Sequence, residues 1–225
     1  MAERRPSPAR KPSSRYHHGD LMRAFVQEAA RTIADEGVEG LTLREVGKRL
    51  GVSRTALYRH FPDKSTLLAA VAREGFQRFR ADLQQAWLAG KGTRRGFDLM
   101  GMAYVRFAVE HPAHYRVMFG GYRSLCDKDP ELEADAASAF AVLVDALVSL
   151  RQAGLVRKDD PQLLAPFIWA IVHGIAMLAI DGQLGPRPAE SQELNSLIRF
   201  ALKRLRTGID RRTSGGTTSR TTHSA

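Results

Sequence analysis

Residues 41–67, LTLREVGKRLGVSRTALYRHFPDKSTL, constrain this chain more than any other stretch. Apolar residues recur at helical spacing on both sides of the tight turn Gly51-Val52-Ser53. Two helices joined so closely must cross at short range, and a small residue is needed where they touch. Gly47 supplies it in mid-helix, where glycine costs about 1 kcal/mol relative to alanine. Gly51 can take the left-handed conformation that ends the first of the pair. Val46 and Leu50 are expected to point inward from that helix, Leu57 and Phe61 from the next, and Val52 to fill the turn. The pattern is a helix-turn-helix.

Such packing leaves the polar face of the second helix free. Arg54, Thr55, Tyr58, Arg59 and His60 are its candidate readers. An arginine near a helix start can reach a guanine edge bidentately, and a threonine methyl can touch thymine. Tyr58 ends in a hydroxyl suited to phosphate. Thr42 and Lys64 sit at helix starts, where backbone N–H groups and the dipole attract phosphate. Ser53 is grouped with these DNA-binding candidates, and Arg44, Lys48 and Arg49 add charge. Residues 42–64 hold 6 basic and 2 acidic side chains, a net of +4. The partner expected is a double-stranded DNA operator.

Charge along the chain agrees. Residues 1–95 carry 19 Lys/Arg and 10 Asp/Glu, residues 96–198 carry 8 and 13, and residues 199–225 carry 7 and 1. The N-terminal part is therefore basic and the middle acidic, which suits a polyanion partner for the former. Arg4, Arg5, Arg10, Lys11 and Arg15 make residues 1–15 a basic arm, expected to be disordered and to add phosphate or minor-groove contacts. Residues 208–225, rich in Thr, Ser, Gly and Arg, are expected to form a disordered tail.

Between these ends the punctuation is helical throughout. The first helix is expected over 20–36, ending at Gly37, and the second from Thr42, which with Glu45 makes a capping box. Ser53 caps the third, and Pro62 ends it near His60. Asp63 caps a fourth helix reaching Ala89, and a fifth spans 93–110. Pro112 opens a sixth. Asp129-Pro130 and Asp160-Pro161 are cap-plus-proline starts for a seventh and an eighth. A ninth spans 190–206. No stretch sustains period-2 alternation. The expectation is an all-α, nine-helix chain with a helix-turn-helix domain over 16–64 and a second helical domain over 65–207.

The eighth helix is apolar nearly all round, so it must be covered on several faces. Residues 163–180 reach the minimal length of a membrane span, but Pro166, His173 and Gly174 interrupt them, and a covered helix with no membrane is expected. Ala170 and Gly174 would let another helix approach. The ninth helix carries an apolar stripe, Leu194, Leu197, Ile198, Ala201, Leu202 and Leu205. A homodimer interface built from these two helices is the preferred reading, with core packing as the alternative.

Ten side chains are the candidate wall: Phe76 and Phe79 on the fourth helix, Met100, Tyr104 and Phe107 on the fifth, Met118 on the sixth, Phe140 on the seventh, and Trp169, His173 and Met177 on the eighth; Leu83, Trp87, Tyr115 and Phe119 stand in the same aromatic and methionine stripes. Such stripes form either plain core or the wall of a pocket. If they enclose a small-molecule effector, it is apolar or aromatic. No catalytic constellation emerges. His17, His18 and Asp20 lie on the arm. Pro112 separates His111 from His114, with no carboxylate placed beside them. The lone cysteine, Cys126, lacks the second thiol of a zinc site and suits a reducing cytoplasm. Gly90, Gly92 and Gly96 precede no strand–helix unit that could cradle phosphate. Neither metal nor cofactor is expected.

The segment resembles the DNA-binding region of TetR-type (tetracycline-repressor-like) transcriptional regulators. The matching features are the apolar pattern of the first helix, TLREVGKRLGVS, LYRHF, and the DK that opens the fourth helix. YHHGDL at 16–21 is similar to one subgroup with a Trp-His-Gly signature in its C-terminal domain. Trp169, His173 and Gly174 in FIWAIVHGIAMLAIDG match that signature, together with HPAHYRVMFG at 111–120. The resemblance spans roughly residues 16–205. It implies a homodimer joined through the eighth and ninth helices and an effector pocket among the fourth to eighth. It also implies DNA contacts at Thr42, Thr55, Tyr58, His60 and Lys64. Ala56 stands where many members carry another small residue. A ligand-responsive DNA-binding repressor is the function expected. The alternative is a helical architectural or protein-interaction module without an effector.

Overall fold

Helix starts in this chain are set by short polar side chains that satisfy backbone N–H groups the helix itself leaves unpaired. In the computed structural model, which describes residues 18–121, 129–157, 159–185 and 191–209, Thr42 Oγ1 accepts from the Glu45 N–H and Ser53 Oγ from the Ala56 N–H, each at 3.2 Å. Asp63 Oδ1 accepts from the Thr66 N–H at 2.8 Å. Asp129 and Asp160 do the same ahead of Pro130 and Pro161. The resulting helices are α1 (His18–Gly40), α2 (Leu43–Arg49), α3 (Arg54–His60), α4 (Lys64–Ala89), α5 (Arg94–Glu110), α6 (Pro112–Phe119), α7 (Pro130–Gln152), α8 (Pro161–Ile180) and α9 (Gln192–Ile209). Among the described residues these nine helices are accompanied by no sheet, an all-α fold.

Several boundaries differ from expectation. Gly37 does not end α1. It breaks the helical path with φ 77° and ψ 173°, and a further turn follows to Gly40. The capping box at α2 forms on one side, because the Glu45 carboxylate pairs with Lys48 and Arg49. α9 runs to Ile209, past the expected end at Arg206 and into the expected tail. Ile209 is buried there, and its carbonyl accepts from the Arg157 N–H at 2.8 Å. The basic arm, the rest of the tail, His17 and Cys126 lie outside the described residues.

The chain divides into two units inside α4, between Leu67 and Leu68. In the first, Phe25, Ile33, Leu41, Val46, Leu57, Phe61 and Leu67 are buried, with Phe25 and Phe61 meeting edge to face at 5.8 Å. Gly47 is buried at the α2–α3 contact, where a Cβ would lie 3.1 Å from Leu57 Cδ2. Arg49 ties α2 to α1. Its guanidinium reaches Glu36 at 2.5 Å, the Thr32 hydroxyl at 3.2 Å and Glu28 at 3.7 Å.

In the second unit α5 packs against α6, α8 and α9, and α8 also packs against α7 and α9. Phe97, Leu147, Leu150, Ala165, Ile168, Leu205 and Ile209 form one buried cluster. Arg206 joins Asp98 at 2.5 Å, tying α9 to α5. Arg116 joins Asp181 at 3.2 Å and the Ile180 carbonyl at 2.9 Å, tying α6 to the end of α8. The glycines between α4 and α5 serve packing. A Cβ on Gly90 would sit 2.1 Å from both the Cα and the N of Gly96, so the two backbones touch.

Two expectations follow. Gly90→Ala drives a methyl group into backbone that cannot rotate away. It should cost about 3 kcal/mol or more, the upper end of overpacking penalties, read as a lowered urea midpoint. The second concerns His114, which is buried on α6. Its Nε2 has no partner among the described residues. Burial, helped by Arg78 and then His111, lowers its pKa to about 4. The unfolded ring titrates near 6.5, so the unfolded state binds more protons between those values. Stability is then full above that window and declines as the pH falls through it, by about 3 kcal/mol in all for this residue. His114→Gln should flatten that part of the stability–pH profile; an unchanged slope contradicts the assignment.

Candidate nucleic-acid interface and ligand cavity

α3 owes its outward face to one buried residue. Leu57 is 1% exposed and anchors the helix, which turns Arg54, Thr55, Tyr58 and Arg59 outward. Tyr58 is 44% exposed, and the Arg54 guanidinium lies 6.0 Å from its ring centre. Thr42, Arg44 and Ser53 are exposed as well. The Thr42 and Ser53 hydroxyl oxygens are already engaged as caps, so either can meet phosphate only by donating its hydrogen. Lys64 is half-buried, with its ammonium 3.4 Å from the Glu39 carbonyl.

Two readings of this face change. His60 is expected among the readers, yet its ring is half-buried, 6.1 Å from that of Phe25, with Nε2 buried. It belongs to the packing between α3 and α1, because the last turn of α3 bends toward the core that Phe61 enters. Arg49 is not the free charge that the sequence suggests. Its guanidinium is held by Glu36 and Glu45, the carboxylates that raise its pKa. Arg44, Arg54 and Arg59 by contrast keep their charge exposed. At the start of α4 the Asp63 carboxylate titrates below its ordinary range, first because it accepts the Thr66 backbone N–H and then through the Ser65 and Thr66 hydroxyls.

The second unit holds a half-open cavity of about 770 Å³, within the roughly 300–1,000 Å³ typical of small-molecule sites. α4 contributes Phe76, Phe79 and Leu83 to its wall, and α5 contributes Phe97, Met100, Gly101 and Tyr104. α6 gives Phe119, and α7 gives Glu133, Ala136, Ala137, Ala139, Phe140 and Leu143. Pro166, Ile168, Trp169, Ala170, Val172 and His173 of α8 and Leu202 of α9 complete it. Aromatic rings meet edge to face around it: Phe79 and Tyr104 at 4.9 Å, Phe76 and Phe119 at 5.4 Å, Phe140 and Trp169 at 5.9 Å.

Three expected wall residues are elsewhere. Phe107 is buried between Phe79 and His111, at 5.1 and 4.9 Å. Met118 is buried against α4, its sulfur 2.5 Å from where a Cβ on Gly75 would stand. Met177 lies one turn beyond His173 and is not part of the wall. Leu83 and Phe119, which stand in the same stripes, also line it, whereas aromatic and methionine spacing misses Phe97, Leu202 and the alanines of α7. Those alanines carry a usable signal, since small side chains on an inward face leave space unfilled.

One corner of the cavity is polar. Tyr104 Oη, Tyr115 Oη and His173 Nδ1 form a triangle with sides of 2.9, 3.1 and 2.7 Å. Trp169 Nε1–H donates to Tyr104 Oη at 2.8 Å. Burial raises both tyrosine pKa values well above the ordinary phenol range, so both hydroxyls keep their protons. Burial lowers that of His173, which favours its neutral ring.

The outer faces of α8 and α9 also depart from expectation. Leu194, Ile198 and Leu205 are at most 5% exposed inside their own protomer, so they cannot face a partner. The side chains left uncovered are Leu163, Phe167 and Leu178 on α8 and Phe200 on α9. Leu197, Ala201 and Gly174 are partly exposed and Ala170 exposed.

Comparison with known proteins matches this division. Residues 25–71 fit the model of bacterial regulatory proteins of the tetR family, and residues 97–202 that of a tetracycline repressor-like C-terminal domain. A helix-turn-helix transcriptional repressor of Mycobacterium tuberculosis is 34% identical over 170 residues, 74% of this chain and 86% of that one. A second regulator from that organism is 27% identical over 206 residues, 89% and 87% of the two chains. Among solved structures, a protein of unknown function from Rhodococcus sp. RHA1 superposes with a TM-score of 0.76 at 29% identity, covering 88% of this chain and 100% of that one. The TetR-family regulator PfmR of Thermus thermophilus shares the fold, with a TM-score of 0.65 at 20% identity over 83% and 99% of the two chains. The chain belongs to the TetR family of bacterial regulatory proteins and is a DNA-binding transcriptional regulator, not an enzyme.

Proposed function

We propose that this protein is a homodimeric repressor that leaves a two-fold symmetric operator when a small apolar or aromatic molecule fills the cavity of its second unit. The observation that carries the reading is the union, in one chain, of an outward basic α3 with a half-open, largely apolar cavity of about 770 Å³. Arg54, Thr55, Tyr58 and Arg59 are the base and backbone contacts, and Arg44, Thr42, Ser53 and Lys64 hold phosphate. The domains proposed are a DNA-binding one over 16–64 and an effector-binding and dimerisation one over 65–207.

The uncovered face of α8 supports the dimer. α8 has a mean hydropathy of 2.2 over its most apolar 18 residues, of which only 28% are buried. It is long and apolar enough to cross a membrane by length and composition. Pro166 and the polar corner at His173 fit a helix packed between protein surfaces better. Leu163 is 76% exposed, Phe167 55% and Phe200 58%, and large apolar side chains left this exposed on two helices call for a partner. A second copy supplies the same patch, as two-fold symmetry requires. Two α3 helices can then enter successive major grooves about 34–36 Å apart. An effector releases DNA only if it binds the DNA-free geometry more tightly, and by linkage DNA must weaken effector binding equally. A cytoplasmic location follows from the operator as partner.

Selection from a random duplex pool should enrich palindromes with half-sites one helical turn apart; equal retention of every sequence would refute operator recognition. Tyr58→Ala with Lys64→Ala should abolish retention of the selected duplex while the sedimentation coefficient stays that of a dimer. Separately, Phe167→Glu places a charge in the proposed interface. It should weaken dimerisation roughly 30-fold or more, seen by analytical ultracentrifugation without detergent. A wild-type protein that is monomeric at micromolar concentration contradicts the dimer.

A further inference from the structure

The polar corner of the cavity restricts what the cavity can hold. Tyr104 Oη accepts from Trp169 Nε1–H and from the Tyr115 hydroxyl. Its own hydrogen is left for His173 Nδ1, 3.1 Å away, which the Tyr115 oxygen also approaches to 2.7 Å. Tyr115 has a single hydrogen, already given to Tyr104, so the Tyr104 hydrogen is the one directed at Nδ1; it makes that nitrogen an acceptor, and the proton of the neutral ring sits on Nε2. Among the described residues Nε2 has no hydrogen-bond partner, and it is not sealed from solvent-sized space. Toward the cavity the corner therefore has its acceptors occupied and one N–H donor uncommitted; the Tyr115 oxygen, which accepts no hydrogen bond in this arrangement, is fully buried and is not part of the wall.

The rest of the wall sets charge. Among the described residues no lysine or arginine lines it, and the one carboxylate there, Glu133, is exposed. A buried anion would lose its hydration and gain no counter-charge. A group that can only donate finds no free acceptor in the corner. A purely hydrocarbon ligand leaves the His173 N–H without a partner once water is expelled.

Resting on the reading of this cavity as the effector site, we propose that it takes a neutral, predominantly apolar molecule with an acceptor oxygen, such as a carbonyl, that receives the hydrogen bond of His173 Nε2–H. Tyr104, Tyr115 and Trp169 act as positioning residues that hold the imidazole in the donating tautomer.

Three matched phenanthrenes, acetylated, ethylated and carboxylated, test this by equilibrium dialysis against the full-length protein. The ketone should bind about tenfold more tightly than its ethyl isostere, the worth of one neutral hydrogen bond, and the carboxylate should not bind detectably. His173→Leu should erase the preference for the ketone while ethylphenanthrene still binds, and His173→Gln, which keeps a donor, should retain it. Tyr104→Phe, which keeps the ring and removes the hydroxyl that orients His173, should shrink the preference below about threefold. If the ketone and ethyl compounds bind wild type equally, or the carboxylate binds best, the acceptor assignment falls while the effector cavity stands. If none of the three binds, the cavity reading itself falls.

Discussion

Tyr104, Tyr115 and His173 must satisfy one another, because each stands in an apolar wall where an unpaired polar atom costs about 1–3 kcal/mol. They come from α5, α6 and α8, so their triangle sets the rotation and height of three helices at once. Trp169 adds a further bond to Tyr104 one turn earlier on α8. On the surface the Arg116–Asp181 pair repeats the α6–α8 link. Exposed pairs of this kind contribute at most about 1 kcal/mol, so the buried triangle carries the register. The cavity exists because this corner is held open by polar geometry while the α7 alanines opposite are too short to fill it.

A related economy governs the DNA-binding unit. Its net positive charge is modest, and Arg49, which lies nearest the acidic residues of α1, is taken up in joining α2 to α1. Gly47 lets Leu57 approach α2, and Leu57 in turn aims the polar face of α3 outward. Removing bulk at one position thus decides which side chains another helix presents. Among the described residues of this unit few charges are left for phosphate, and affinity for DNA grows with each phosphate contact added.

Helix existence was legible because its signals are local. Asp63, Asp129, Asp160, Thr42 and Ser53 cap the helices at which they stand, and Gly51 ends α2 with φ +65°. Seven of the ten wall residues expected from aromatic and methionine spacing do line the cavity, since rings at one helical face converge wherever helices do. The failures share a cause. Phe107 and Met118 lie on the same helices as true wall residues, but their rotation is set by what they pack against, Phe79 and the α4 glycine Gly75. His60 faces outward by periodicity alone and is drawn inward by Phe25.

α9 shows the division most clearly. Its apolar stripe is plain in the sequence, and its amphipathic character is a property of spacing alone. Which surface that stripe meets is not a property of spacing: Leu194, Ile198 and Leu205 are used up inside the protomer, and Phe200 on the other side is left uncovered. By itself the sequence determined the all-α class, the helix starts, the helix-turn-helix and its polar reading face, because caps, turns and periodicity act within a few residues. Only the tertiary structure decided which aromatic side chains line a cavity, which histidine meets the buried tyrosine hydroxyls, and which apolar side chains stay uncovered. Those outcomes depend on the mutual rotation of helices distant in the chain, and that rotation is fixed where buried groups find their partners.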